Sequence, residues 1–384
     1  MRPFRLLLLA LALTLLGACA SAPPSAAPQA LFRDELFKPP AERVSTEGVF
    51  AVSEEMKRYL AVDIGGQIIA KGPQTGLVDA LARQLKLGYD AAQTKTAAEA
   101  FASRSGNCLS LVLMTAAFAK ELNLAVTYQS AYIEETWSRT DGLLFASGHV
   151  NITLGRRLVD VGTQRAVNPL TIDFLPPEDI ARMRVREIGE ATVLAMYANN
   201  RAVEAIAAQR LDDAYAWAVE ALRRDPGFVG AYNTLGVVYL RHGDLAEAAL
   251  AFGHVLGLQP ENTRALANLA ETYARQGRSD AAEATRNRLA VLEPRAPFHD
   301  FNLGIEAMRR GDVRSARDLF AREVARADHY HEFHFWLAVA SAQLGDLATA
   351  RKHLGLALEN STTRIQHEIY AGELARLKSA TLSQ

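Results

Sequence analysis

AYNTLGVVYLRHGDLAEAALAFGHVLGLQP, residues 231–260, decides how the C-terminal half of the chain folds. Leu235, Tyr239 and the residues between them make one apolar helical face, and Ala248 and Phe252 make the facing stripe of a second helix. Gly236 and Ala248 are small where the paired helices touch, Gly243 ends the first helix, and Pro260 ends the second. The same residue types return at a step of 34: Pro226, Pro260 and Pro294; Ala214, Ala248, Ala282, Ala316 and Ala350; Gly243, Gly277, Gly311 and Gly345. A generic helical bundle does not predict a proline, a glycine and an alanine recurring at one period. Five helical hairpins over residues 195–364 fit the step, with IQHEIYAGELARLK, 365–378, suited to cap the last of them and a tail to residue 384. One hairpin cannot bury its apolar face alone, so the units are expected to stack into an all-α solenoid.

Tyr232, Leu235, Gly236, Tyr239, Gly243, Ala248, Phe252 and Pro260 stand at the positions of the tetratricopeptide (TPR) signature, which this unit resembles. The resemblance implies a curved stack with a concave groove that receives an extended or helical segment of a protein or peptide partner.

At 384 residues the chain has room for two or three domains. Lys and Arg total 42 against 43 Asp and Glu, a net charge of −1, which gives no electrostatic reason to expect nucleic acid or an anionic surface as partner.

At the other end, Arg2 and Arg5 precede an apolar run, Leu6 to Leu16, too short to span a bilayer, and Leu16-Gly17-Ala18 leads into Cys19. Small residues before a cysteine resemble the lipobox of bacterial lipoproteins. The resemblance implies that residues 1–18 are removed and that lipid on Cys19 anchors the protein to a membrane in the bacterial cell envelope. Ala20 in place of an Asp is similar to lipoproteins sorted to the outer membrane, facing the periplasm. An ordinary cleaved signal peptide with an incidental cysteine is the alternative. ASAPPSAAPQA, 20–30, is small and Pro-rich, as expected of a flexible tether, and residues 19–45 are expected to form an anchored linker. Of the chain's two cysteines this leaves Cys108 alone, either a buried small apolar residue or a reactive thiol.

Residues 46–190 mix helical patterns with strands and are expected to form a separate α+β domain. Residues 74–86 and 96–104 read as amphipathic helices, and Leu109 to Leu122 as a buried one. AVTYQSAYI from Ala125 and HVNITL from His149 alternate like half-buried strands. A turn at Gly155 would make HVNITLGRRLVDV a hairpin, and strand parity would then put His149 and Asp160 on one face. Cys108 follows Ser105-Gly106-Asn107 and opens the apolar helix, where free N–H groups and the helix dipole favour a thiolate.

TKTAAEAFASRSGNCLSLVLMTAAFAKELNLAVTYQ, 94–129, and HVNITLGRRLVDVG, 149–162, resemble the two motif blocks of the transglutaminase-like branch of the papain-fold superfamily. The resemblance implies a Cys108 nucleophile, a His149 general base and an orienting Asp160. It also implies hydrolysis of an amide or isopeptide bond, or acyl transfer, through a thioester and without a cofactor. Val150-Asn151 stand where many members have Ala-Trp, and the gap from His149 to Asp160 is short. A lipid-anchored adaptor without turnover, organising an envelope secretion or polysaccharide-export assembly, is the second reading. HYHEFH, 329–334, looks like a metal cluster, but only His331 and His334 share a helical face, and they read as surface or groove residues rather than metal ligands. Trp336 reads as a packing residue and Trp137 as packing or the rim of a pocket.

Overall fold

The computed structural model describes residues 27–132, 137–140, 143–146, 149–157, 168–174, 184–294 and 298–382. Ahead of the repeats run helices α1 (Glu54–Arg58), α2 (Gly65–Lys71), α3 (Pro73–Arg83), α4 (Ala97–Ser103) and α5 (Cys108–Glu121). The strands are β1 (Gly88–Tyr89), β2 (Ser105–Gly106), β3 (Leu124–Tyr132), β4 (Trp137–Thr140), β5 (Leu143–Ala146), β6 (His149–Arg157), β7 (Leu170–Ile172) and β8 (Arg184–Ile188). Four of them form an antiparallel sheet in the order β7-β6-β3-β8. Because α5 is apolar all round, it can only be central. It is buried from Cys108 to Ala119 and packs on the sheet, whose Val150, Ile152 and Leu154 are fully buried. Its first turn is closed by Asn107, whose Oδ1 accepts the Ser110 N–H at 2.9 Å, and α4 opens with a capping box between Thr96 and Glu99.

The expected turn at Gly155 is absent. Strand β6 runs on to Arg157, and a Cβ at Gly155 would stand 3.1 Å from Ala125 Cβ, where the β3–β6 register slips between Leu124 and Val126. Glycine here serves the close approach of two backbones at a bulge, not a hairpin turn. The strand that β6 pairs with on its outer side is β7, with Ile152 opposite Ile172. Asp160 lies outside the described residues.

The repeats are helix pairs: α6 (Glu190–Ala207) with α7 (Leu211–Arg224), α8 (Val229–His242) with α9 (Leu245–Leu258), and α10 (Thr263–Arg275) with α11 (Ser279–Leu292). Then come α12 (His299–Arg309) with α13 (Val313–Arg326), α14 (His331–Gln343) with α15 (Leu347–Glu359), and the cap α16 (Arg364–Leu382). The recurrent glycines are explained by backbone: Gly243, Gly277, Gly311 and Gly345 have φ of 106°, 74°, 80° and 83° where the first helix of each of those units ends. One step earlier, at residue 209, the first unit holds the same left-handed turn with a glutamine, φ 58°. Gln209→Gly is therefore expected to raise stability by about 0.5–1 kcal/mol in urea unfolding; an unchanged or lower midpoint would contradict this.

The small residue inside each hairpin is equally constrained. A Cβ on Gly236 would fall 2.6 Å from Phe252 Cε1, and one on Gly304 would fall 2.5 Å from Phe320 Cε1. Phe252 and Phe320 are fully buried and have no free space to move into. Gly236→Ala is expected to cost roughly 1–3 kcal/mol, measured by thermal unfolding, whereas alanine at Gly243 is strained by its φ alone.

Residues 46–190, expected as a separate domain, share one hydrophobic core with the first repeats, continuous from Ala27 through Phe118, Trp217 and Tyr239 to Leu269. A second core gathers Phe298, Phe301, Phe320 and Phe333, and a third joins Leu354 and Ala357 to Tyr370 of the cap. Residues 27–45, within the expected linker, are strapped along the first two repeats. Tyr215 Oη accepts the Arg33 N–H at 2.8 Å and donates to Asp34 Oδ1 at 2.7 Å, and Phe37 stacks on the Tyr215 ring at 4.1 Å. Tyr239 Oη donates to Leu31 O at 2.8 Å, and Trp217 Nε1 donates to Glu42 Oε1 at 2.7 Å. At the far end of the stack, Thr362 O accepts the Ala91 N–H at 2.8 Å. Both ends of the solenoid thus touch the α+β region. Among the described residues no helix is long and apolar enough to cross a membrane.

Candidate functional site

Cys108 is the first residue of α5, 7% exposed, and the turn that presents it is tight. A Cβ at Gly106 would lie 2.6 Å from Ser110 Cβ, so the chain can enter the helix this closely only with glycine there. The loop before α4 braces the same turn: Asn107 Nδ2 donates to Thr94 Oγ1 at 2.8 Å, and the Lys95 N–H donates to Ser110 Oγ at 2.8 Å. The first repeat helix holds that loop in turn, because Glu204 Oε1 accepts the Thr94 N–H at 2.6 Å and Asn200 Nδ2 donates to Thr94 Oγ1 at 3.1 Å.

His149 opens β6 and is 5% exposed. Its Nε2 lies 2.7 Å from Asp173 Oδ1, and the second carboxylate oxygen accepts Asn151 Nδ2 at 3.1 Å. The Cys108 thiol is close enough to act on the same ring. Burial works to lower the imidazole pKa. The Asp173 hydrogen bond, the Cys108 hydrogen bond and the charges of both partners outweigh it, and His149 is pushed up to about 9. The ring is therefore an imidazolium at neutral pH, wedged between a carboxylate and a sulfur.

Of the residues read from sequence, the structure brings Cys108 and His149 together, and Nε2 of His149 is bonded to Asp173, while Asp160 lies outside the described residues. The reason is the missing turn: β6 meets β7 instead of a strand formed directly after Gly155. Parity still governs the geometry. Thr153 faces Thr171, with their Oγ1 atoms 2.8 Å apart, so two residues further along Asn151 faces Asp173 on the side that carries His149. Asp173 and Asn151 were missed, although Asp173 directly follows LTI, a short β-branched run that the same parity rule could have paired with β6.

Cys19 lies outside the described residues, as does the side chain of Trp137. His331 and His334 are not surface or groove residues. They are buried, His331 Nδ1 lying 2.8 Å from Tyr370 Oη of the cap and His334 Nδ1 lying 2.9 Å from His353 Nδ1. Burial drives both pKa values down, His331 to about 4, so both act as neutral polar joints, His331 between the last repeat and the cap and His334 between the two helices of that repeat. Trp336 packs on Phe320 and Phe335.

Residues 199–253 and 301–364 match one family profile described as tetratricopeptide repeat, and residues 239–299 match another. The C-terminal region is a tetratricopeptide-repeat solenoid. Among solved structures, the chain is similar to TTC0263, a thermophilic TPR protein of Thermus thermophilus, at 21% identity and a TM-score of 0.31, over 47% of this chain and 99% of that one. It is similar to YrrB, a TPR protein with an unusual peptide-binding site, at 20% identity and a TM-score of 0.25, over 47% of this chain and 92% of that one. It is similar to PilF of Pseudomonas aeruginosa at 15% identity and a TM-score of 0.28, over 48% of this chain and 84% of that one. No curated protein matches the chain in sequence.

Proposed function

We propose that this protein holds a protein or peptide partner on its repeats and carries a thiol centre that acts on an amide or isopeptide bond. The observation that carries the chemical half is the His149 ring, bonded through Nε2 to Asp173 and close enough to Cys108 for the thiol to act on it, both within a buried site at a helix N-terminus. An imidazolium facing sulfur is the arrangement that stabilises a thiolate. The thiolate attacks the carbonyl carbon, a C–S bond forms, and the carbonyl π pair moves onto oxygen. Collapse of that adduct breaks the C–N bond, and the departing amine takes the proton from His149. Water or a second amine then attacks the thioester, gives its proton to the neutral imidazole and releases the thiolate. Asp173 holds the ring in place throughout and stabilises its charged form.

Partner binding is supported by the repeats themselves, which are stacked hairpins of the kind that receive polypeptide segments. A second reading, a scaffold without turnover, has a specific observation behind it: everything the family profiles match lies within the repeats. On that observation alone the scaffold is the better supported of the two, and the case for the thiol centre rests on side-chain geometry. Lipid on Cys19 would keep either version at the cell envelope. Eight peptide steps lead from Cys19 to Ala27, which is buried in the shared core, so the anchor would hold the early repeats within about 28 Å of the membrane.

The test is acylation by a simple activated ester, p-nitrophenyl acetate, followed by intact mass. Acylation of Cys108 that is absent in Cys108→Ser and slowed in His149→Ala is expected. Acylation no greater than in Cys108→Ser would overturn the thiol centre and leave the scaffold.

A further inference from the structure

Tyr89 has no part in the chemistry so far, yet the fold delivers it to the reacting atoms. The short parallel pair β1–β2 sets Tyr89 opposite Gly106, two residues before Cys108, and two backbone hydrogen bonds fix the pairing: Gly88 N–H to Arg104 O at 2.9 Å and Asp90 N–H to Gly106 O at 3.0 Å. The Cys108 N–H and the charge of its sulfur both act on the phenol, which places the hydroxyl beside the cysteine. The residue as a whole is 40% exposed, so the ring stands at the rim of the site with its hydroxyl turned toward the cysteine. Among the described residues the phenolic proton has no acceptor of its own. Two donors, the Cys108 N–H and the Tyr89 O–H, therefore belong to one corner of the site.

We propose that Tyr89 is a catalytic residue, the side-chain donor that joins the Cys108 N–H in holding the oxyanion of the tetrahedral adduct. This rests on the reading of Cys108 as the nucleophile. When a carbonyl oxygen enters, the Cys108 N–H and the phenol O–H both donate to it. Burial and the neighbouring sulfur raise the Tyr89 pKa above its ordinary value, so the group stays protonated and able to donate. Such donors act where negative charge develops, and losing one typically costs about a hundredfold to a thousandfold in rate.

The loop that carries Tyr89 is held beyond the site as well. The Ala91 N–H donates to Thr362 O in the link between α15 and α16, and Thr94 is bonded to Glu204 and Asn200 of α6. The donor is thereby fixed to both ends of the solenoid, which is the preorganisation that an oxyanion site needs.

Two reactions of the full-length protein separate this role from its alternatives. Alkylation by iodoacetamide displaces iodide at a saturated carbon and forms no oxyanion, whereas acylation by p-nitrophenyl acetate must form one. In Tyr89→Phe, acylation of Cys108 is expected to fall roughly a hundredfold while alkylation keeps its wild-type rate. Unchanged acylation would overturn the proposal. So would a gain in both rates, which would make Tyr89 a plug over the site, or an equal loss in both, which would make it a support for the thiol. A wild-type Cys108 that resists alkylation would overturn the nucleophile reading and this one with it, and the alkylation arm alone reports that failure.

Discussion

Asp173→Ala is expected to slow alkylation of Cys108 at pH 7 by about tenfold or more. The carboxylate is the partner that lets a buried ring keep its proton, since His149 and Asp173 have side chains only 4% and 7% exposed. Taking away one member of a buried charged pair leaves the other uncompensated, at a cost of roughly 3–5 kcal/mol if it stays charged. The ring will lose its proton instead, because burial favours the neutral form. Cys108 then faces a neutral imidazole and loses the cation beside its sulfur. Asp160→Ala is expected to leave the rate unchanged, because Nε2 of His149 is already bonded to Asp173. A slow Asp160→Ala beside a normal Asp173→Ala would reverse the assignment.

The second large effect is on pH dependence. The ring of His149 is expected to titrate with a midpoint of about 9 in the folded protein, against its ordinary 6.5 once the chain is unfolded in urea, as followed by proton NMR. The native state holds this proton more tightly than the unfolded one. The stability it contributes is complete below pH 6.5 and is lost as pH rises through about 9. A difference of that size is worth about 3 kcal/mol. His149→Gln, which cannot take up the proton, should therefore lose that part of the decline between pH 6.5 and 9 in urea unfolding. Wild-type and variant curves that run parallel would show that the pair does not hold the proton.

The repeats were legible because their signal is redundant. Each glycine, alanine and proline answers a separate constraint, and all three repeat at one step. The first unit shows the limit of that redundancy: Gln209 keeps the turn without the glycine, and α6 begins before the repeat step does. In the α+β region, Gly-Asn-Cys ahead of an all-apolar run identified the buried helix and the thiol at its start. Gly155 misled because a glycine between two β-branched runs looks the same in sequence whether it makes a turn or lets two strands approach closely. That one ambiguity hid Asp173, which the structure bonds to His149. Tyr89 was illegible for a different reason, since a two-residue strand has no periodicity to read. His331 and His334 were placed on one helical face correctly, but pattern alone did not reveal that the cap and α15 cover it.

The most direct test of the thiol centre compares Cys108 with itself. Iodoacetamide labelling of the native protein, set against the same protein in urea and read by intact mass, reports which kind of cysteine the fold makes. An imidazolium-paired sulfur predicts labelling faster in the native state by about tenfold, even though Cys108 is only 7% exposed. Slower labelling in the native state would mean an inert buried thiol, and the function would then lie in the repeats alone.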